Sequence, residues 1–320
     1  MTKPKLRLRR PTMEDAPAVC DLVIACDIED FGAPDIDLAD IIDMWSGFDL
    51  DKNVWLAERT DDDENGAAAQ ATLAGYAFLE EDSDEKLFSY GCVLPAARGS
   101  GVGAALVAAL EARAAELHAD SGAAKRLQSM VPTGDARAAA LFEGRGFAPV
   151  RFFKRMALRM ETAPEAPAAP NGFRIAPFVK DRDEREVYDA YTEAFADHWD
   201  FAKPPFEKWV EKTKLSGFSE QWWLLARDER DGGAVAGFAL GRMRDDLLFI
   251  EQVGVRRPYR GQGLGLALLR HAFFAAYAAG QPVVSLGVDA ANPSGAYRLY
   301  EKAGMKAEYE ITIFEKSFGK

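Results

Sequence analysis

A chain of 320 residues, 48% hydrophobic, 28% charged and 11% aromatic, has a globular composition and the length of two domains, which excludes disordered and collagen-like classes. Its net charge of −12 is the opposite of the basic stripe that nucleic-acid binding requires, so no nucleic-acid partner is expected. No run approaches the roughly 18 consecutive apolar residues of a membrane helix, so no membrane partner is expected either.

The first residues alternate as a strand and lack the apolar segment of a signal peptide. Cys20, Cys26 and Cys92 are odd in number and carry no Cys-x-x-Cys spacing. Neither a disulfide framework nor a metal site is expected, and a reducing cytoplasm is the default. Helical patterns then cover 14–30 and 38–45, followed by strands at 54–58, 73–79 and 87–93. Acidic runs at 61–64 and 80–85 read as solvated loops, or more weakly as a surface that attracts cationic substrates. A glycine-rich turn opens a helix at 101–118, and strand 126–131, helix 137–145 and strand 150–158 complete the half.

Residues 161–172 are rich in Pro and Ala without apolar periodicity, which reads as a semi-rigid linker. The pattern then restarts at Phe173. Helices at 182–196 and 205–214 precede strands at 222–227, 234–241 and 247–255. A second glycine turn opens a helix at 263–279, followed by strand 282–288, helix 293–303 and strand 309–316. The halves share motifs at a spacing of about 160 residues: Arg98-Gly-Ser-Gly-Val-Gly103 matches Arg260-Gly-Gln-Gly-Leu-Gly265, and Leu141–Phe147 matches Leu299–Met305. The chain therefore reads as a duplicated mixed α/β domain, 1–160 and 173–320.

Alternate glycines at the start of a helix let a ligand approach the backbone, and the first turn offers unpaired N–H groups and a partial positive charge. That makes an anion cradle for a group such as pyrophosphate, with Arg256, Arg257 and Arg260 as added cations. A single glycine turn serves helix-to-strand packing equally well. No Gly-Lys-Ser/Thr follows, and the Gly-x-Gly-x-x-Gly spacing fails because Leu266 occupies the sixth position.

The remaining pattern, Arg-x-x-Gly-x-Gly, resembles the acetyl-CoA pyrophosphate loop of the GNAT N-acetyltransferase superfamily. Val253-Gly254-Val255 resembles that family's splayed strand, and the segment from Asn292 to Gly304 its later helix, so the resemblance spans nearly the whole chain in tandem. It implies an acetyl-CoA-dependent N-acetyltransferase acting on a small-molecule primary amine, without a metal. Its cofactor-binding residues would be Val253, Gly254, Val255, Arg260, Gly261, Gln262, Gly263, Leu264, Gly265 and Asn292, with Arg98, Gly99, Ser100, Gly101, Val102 and Gly103 in the first half. It further implies Tyr300 as the acid that protonates the departing thiolate, a phenol of ordinary pKa ~10 suiting that role.

Glu251 is the candidate base, expected on the same strand face as Val253, with a salt-bridged strand carboxylate as the plain alternative. Asn292 is expected to cap the last helix. His198 reads as structural or as part of the acceptor site. By the same spacing, Phe142, Ser89, Leu94 and Pro95 stand in the first half where Tyr300, Glu251, Arg256 and Arg257 stand in the second. The first half is therefore expected to keep the cradle and lack the chemistry. Two alternatives remain: a CoA-binding sensor that transfers nothing, and an enzyme whose acceptor is a protein or peptide. Both monomer and homodimer fit.

Overall fold

The structure, a computed structural model, describes residues 5–60, 71–244, 246–292 and 295–319. The acidic run at 61–64 and Pro293 lie outside the described residues. Among the described residues no helix is long and apolar enough to cross a membrane.

Two compact units form, and their limits cross the division expected at 1–160 and 173–320. One unit takes the chain up to Phe152 and again from Glu310; the other takes Phe153–Tyr309. The reason is an exchange of final strands. The last strand of the first half, β6 (Ala148–Arg159), pairs with the second unit, and the last strand of the second half, β12 (Lys306–Phe318), pairs with the first.

In unit 1, β1 (Lys5–Arg9), β2 (Val54–Thr60), β3 (Thr72–Glu81), β4 (Lys86–Val93) and β5 (Lys125–Pro132) lie in sheet order, and β12 completes the row against β5. Only β4 and β5 run parallel; the other described pairs are antiparallel. Strand alternation sorts side chains to two faces. On β3, Tyr76 and Phe78 face α1 (Ala16–Phe31) and α2 (Leu38–Ser46), where they pack with Val19, Val23 and Trp45. Ala77 and Leu79 face α4 (Val102–Ser121), where they pack with Leu106 and Leu110. The short α3 (Leu50–Asn53) leads into β2, and α5 (Ala136–Gly144) follows β5.

Unit 2 repeats this plan with β7 (Phe173–Pro177), β8 (Trp223–Asp228), β9 (Ala234–Arg244), β10 (Leu247–Val255) and β11 (Val283–Asp289), completed by β6 against β11. On β9, Phe238 and Leu240 face α6 (Glu184–Phe195) and α7 (Phe206–Val210), in a core with Tyr188, Tyr191 and Trp209. Ala236 and Ala239 pack on the other side with Leu268, Leu269 and Phe273 of α8 (Leu264–Ala278). The helix expected at 205–214 is α7 followed by a 3-10 turn, Glu211–Lys214. The helix expected at 293–303 is α9, Ala296–Lys302.

Candidate active site

Both glycine turns adopt the backbone their sequence implies. Gly99, Gly101, Gly261 and Gly263 have φ between +78° and +94°, the left-handed region where a side chain is strained. Gly101 and Gly263 are the residues from which α4 and α8 start. A Cβ at Gly261 would meet nothing within 4 Å, and one at Gly263 only Pro170 of the 161–172 segment, at 3.9 Å. The surface above these amides is open, as a cradle for an anion requires.

The third glycine has another task. A Cβ at Gly265 would stand 2.9 Å from Leu299 of α9, so this residue sets the approach of α8 to α9. Leu264 and Val102 are buried in the two cores, leaving only their backbone to face a ligand. The hydroxyl of Ser100 donates to the Ala97 carbonyl at 2.6 Å, and Gln262 is exposed.

The loop arginines separate the two units. In each, the arginine Nε donates to the carbonyl that ends the preceding strand: Arg98 to Val93 at 3.2 Å and Arg260 to Val255 at 3.1 Å. Beyond that shared hold they differ. Arg98 makes a two-pronged ion pair with Asp30 of α1, both distances 2.7 Å, which raises its pKa further. Arg260 instead donates to the Ala194 carbonyl of α6 at 3.2 Å.

Glu29-Asp30-Phe31 closes α1 as Glu193-Ala194-Phe195 closes α6, so Ala194 stands where unit 1 has a neutralising carboxylate. Asp30 was not singled out by the motif; the matching of the two helix ends is the signal that finds it. Arg256 and Arg257, expected as cradle cations, pair with Glu193 at 2.7 Å and Asp197 at 2.6 Å. Their charge is committed to fastening the turn to the end of α6 and the residues just after it.

The parallel strands part beside each cradle. β10 and β11 pair from Leu247 with Val283 to Ile250 with Leu286, and β10 then follows β9 alone to Val255. β4 leaves β5 in the same way after Ser89 and Ser129. In unit 2 the parting coincides with a bulge: Ile250 pairs Gly241 and Gln252 pairs Leu240, so Glu251 is an extra residue. The β3–β4 register has no such step. The strand-pair register therefore matches Ser89 to Ile250, and Glu251 has no counterpart in unit 1.

The bulge also overturns the expected facing. Val253 packs with the α8 core, whereas Glu251 lies on the α6 side, Oε2 at 3.3 Å from Lys212 and Oε1 at 3.4 Å from Arg242. Burial pushes the Glu251 carboxyl up, but Lys212, Arg242 and Arg244 together outweigh it and hold the pKa below the usual range. Gly254 also turns to the α6 side, where a Cβ would run into the Phe238 ring.

Tyr300 sits on α9 within the α8-side core, 7% exposed, and burial pushes its phenol up to about 12. Phe142 fills the matching place in unit 1, edge-on to Phe147 and stacked on Phe314, without a transferable proton. Asn292 does not cap α9: the cap residue is Gly295, whose amide donates to the Asn292 carbonyl at 3.4 Å. In unit 1 the equivalent helix is capped by Asp135, whose side chain accepts from the amides of Arg137 and Ala138 at 3.0 Å. His198 lies against the Phe195 ring, centroids 4.3 Å apart. Burial favours its neutral form, with Arg260 in the same direction and Asp289 and Asp197 opposing.

Unit 2 thus gathers an open anion cradle, a loop arginine hydrogen-bonded to the main-chain carbonyls of Val255 and Ala194, a parted strand pair, a protonated phenol on one sheet face and an ionised carboxylate on the other. The acetyltransferase (GNAT) family matches residues 184–305, and an acetyltransferase (GNAT) domain matches residues 51–149. A mycothiol acetyltransferase from Pseudarthrobacter chlorophenolicus is 30% identical over 301 residues, covering 89% of this chain and 87% of that one. Another, from Actinosynnema mirum, is 31% identical over 254 residues, 77% of this chain and 82% of its own length. The crystal structure of a GCN5-related N-acetyltransferase from Sphaerobacter thermophilus is 33% identical with a TM-score of 0.81, covering 98% of this chain and 97% of that chain. A tandem GNAT protein from the clavulanic acid biosynthesis pathway shares the fold, at 16% identity and a TM-score of 0.67, over 98% of both chains.

Proposed function

We propose, for a chain that belongs to the GNAT family of N-acetyltransferases and carries two of its domains in tandem, that unit 2 transfers an acetyl group from acetyl-CoA to the primary amine of a small molecule. The observation that carries this reading is the contrast between Arg260 and Arg98. The two turns share backbone and Nε anchorage, yet a carboxylate neutralises the arginine in unit 1, and in unit 2 a carbonyl takes its place. Asp197 acts on Arg260 only at a distance, without a hydrogen bond, and a pyrophosphate gains most where no carboxylate occupies the guanidinium fork. The relatives named mycothiol acetyltransferases support a small-molecule acceptor.

In this reading the amides of Gly261–Gly265 at the start of α8 hold the pyrophosphate, and the thioester lies where β10 leaves β11. Backbone N–H groups of Val253–Val255 would receive charge developing on the acetyl oxygen. The amine approaches from the α6 side. Its nitrogen becomes far more acidic as the bond to the acetyl carbon forms, so Glu251, weakly basic and ionised at neutral pH, suffices to take the proton, directly or through water. Tyr300, on the opposite face, gives its proton to the departing thiolate. Acid and base so placed do not neutralise one another. Unit 1, with Phe142 and a neutralised Arg98, supports the shape of the fold without the chemistry.

The test is thiol release from acetyl-CoA with a panel of small primary amines, alongside calorimetric binding of CoA. Turnover that disappears in a Tyr300→Phe, Glu251→Gln double variant that still binds CoA supports the assignment. CoA binding with no turnover for any amine would instead favour the sensor, and acetylation of peptides alone the macromolecular acceptor.

A further inference from the structure

The α6-side face of the unit 2 sheet reverses the acidic balance of the chain. Arg242 and Arg244 alternate on β9 in step with Phe238 and Leu240, and so turn to the same side. Arg155, from the exchanged strand β6, joins them. The guanidinium carbons of Arg155 and Arg244 lie 4.4 and 4.2 Å from the centroid of Phe249, and the Arg242 Nε is 3.4 Å from Glu251. An aromatic ring flanked by guanidiniums holds them flat and limits their rotation.

Two neutral groups on this face are buried without a protein partner. Ser285 stands beside Phe249 in the parallel register, 3% exposed, with no hydrogen bond to its Oγ. Gln252, on the bulge, has a buried Oε1 in the same condition. Such groups carry a desolvation cost that a bound molecule removes. The hydroxyl suits an oxyanion, and the amide oxygen suits an N–H donor. Room is found beside Arg155: Gly287, its partner on β11 and two residues on from Ser285, is exposed, and a Cβ there would meet nothing within 4 Å.

Unit 1 lacks the pattern. By register Glu80 stands opposite Phe88 as Arg242 stands opposite Phe249, and Ile313 holds the β12 position that corresponds to Arg155 on β6. Burial lowers the Arg155 pKa, Tyr309 opposes that through its hydrogen bond and charge, and Arg244 adds to the lowering, so an added negative charge favours the ionised Arg155.

We propose that the acceptor is an amine that also bears an oxyanion, a carboxylate or a phosphate, which Arg155, Arg242, Arg244 and Ser285 receive while Gln252 accepts an N–H of the same molecule. This rests on the N-acetyltransferase reading of unit 2 and narrows its substrate class. The weaker reading of the acidic runs, as a surface that attracts cationic substrates, does not anticipate such an anionic group.

The test compares matched probes on the intact protein: L-alanyl-L-alanine against its C-terminal amide, and O-phosphoethanolamine against ethanolamine. Acetylation is followed by thiol release, and binding by calorimetry in the presence of CoA. The expected result is a kcat/KM at least about tenfold higher for the charged member of one pair, carried mainly by KM. Preference in the first pair identifies a carboxylate, in the second a phosphate. Arg155→Gln and Arg244→Gln should bring the preferred pair to within about threefold, and Arg244→Lys should keep part of the preference. Equal or lower kcat/KM for both charged members overturns the proposal while leaving the acetyltransferase reading intact. If no amine turns over, binding decides: tighter binding of a charged probe upholds the oxyanion site, and equal binding of charged and neutral probes overturns it.

Discussion

Arg98 lays its two terminal nitrogens on the two oxygens of Asp30, each at 2.7 Å, while Arg260 at the matching turn meets a main-chain carbonyl at 3.2 Å. The wild-type protein should therefore bind CoA chiefly at one turn. Asp30→Ala should release Arg98 and raise the calorimetric stoichiometry from about one toward two. Arg260→Ala should weaken the tight event by roughly tenfold. A wild-type stoichiometry of two with equal affinities would contradict the contrast between the turns.

Tyr300→Phe should lower kcat by roughly 10²-fold with CoA affinity unchanged. With a phenol pKa of about 12, the wild-type tyrosine stays protonated throughout the neutral and mildly alkaline range. The kcat profile should accordingly show no descending limb from this group below about pH 10, the ordinary value for tyrosine.

Glu251 carries a pH signature of the opposite sign. Its folded pKa lies below the ordinary 4.5, so its contribution to stability is complete above that value and lost as pH falls through the folded pKa. Melting temperatures of wild type and Glu251→Gln should differ at neutral pH and converge in acid. Parallel curves from pH 3 to pH 7 would mean that the pairs with Lys212 and Arg242 contribute nothing.

Gly254→Ala should destabilise unit 2 by about 1–3 kcal/mol, because the new methyl enters the space of the Phe238 ring. Adding Phe238→Leu should recover part of that loss in chemical denaturation. Without recovery, the clash is not what makes glycine necessary at this position.

The order of elements and the two turns were legible because both rest on local rules: apolar period, strand alternation, and glycines where φ is positive. The same rules misplaced the facing of Glu251. Alternation assumes an unbroken ladder, and whether a strand carries an extra residue depends on its partner, here β9. Asn292 followed by Pro293 looks like a helix start, yet α9 begins at Ala296 after a left-handed Gly295. Arg256 and Arg257 counted as free charges because Glu193 and Asp197 lie about sixty residues away in sequence. The destination of β6 was invisible for a different reason: matching final strands in a duplicated chain satisfy either sheet equally well by pattern.

That interchange has a consequence for biosynthesis. When the ribosome has completed the first half, the sheet of unit 1 lacks the strand that pairs Ile311–Phe318 with β5, and β6 has no β11 to receive it. Phe314, part of the core beneath α4, arrives only with β12, after the whole of unit 2 has been made. Unit 2 can complete its sheet once β11 is made, whereas unit 1 must wait for β12, so the half translated first is the last to close. A gene cut within codons 161–172 should therefore yield two products that need coexpression to become soluble. Evolution could let the catalytic groups of one half lapse while the strand it lends to the other kept the pair inseparable.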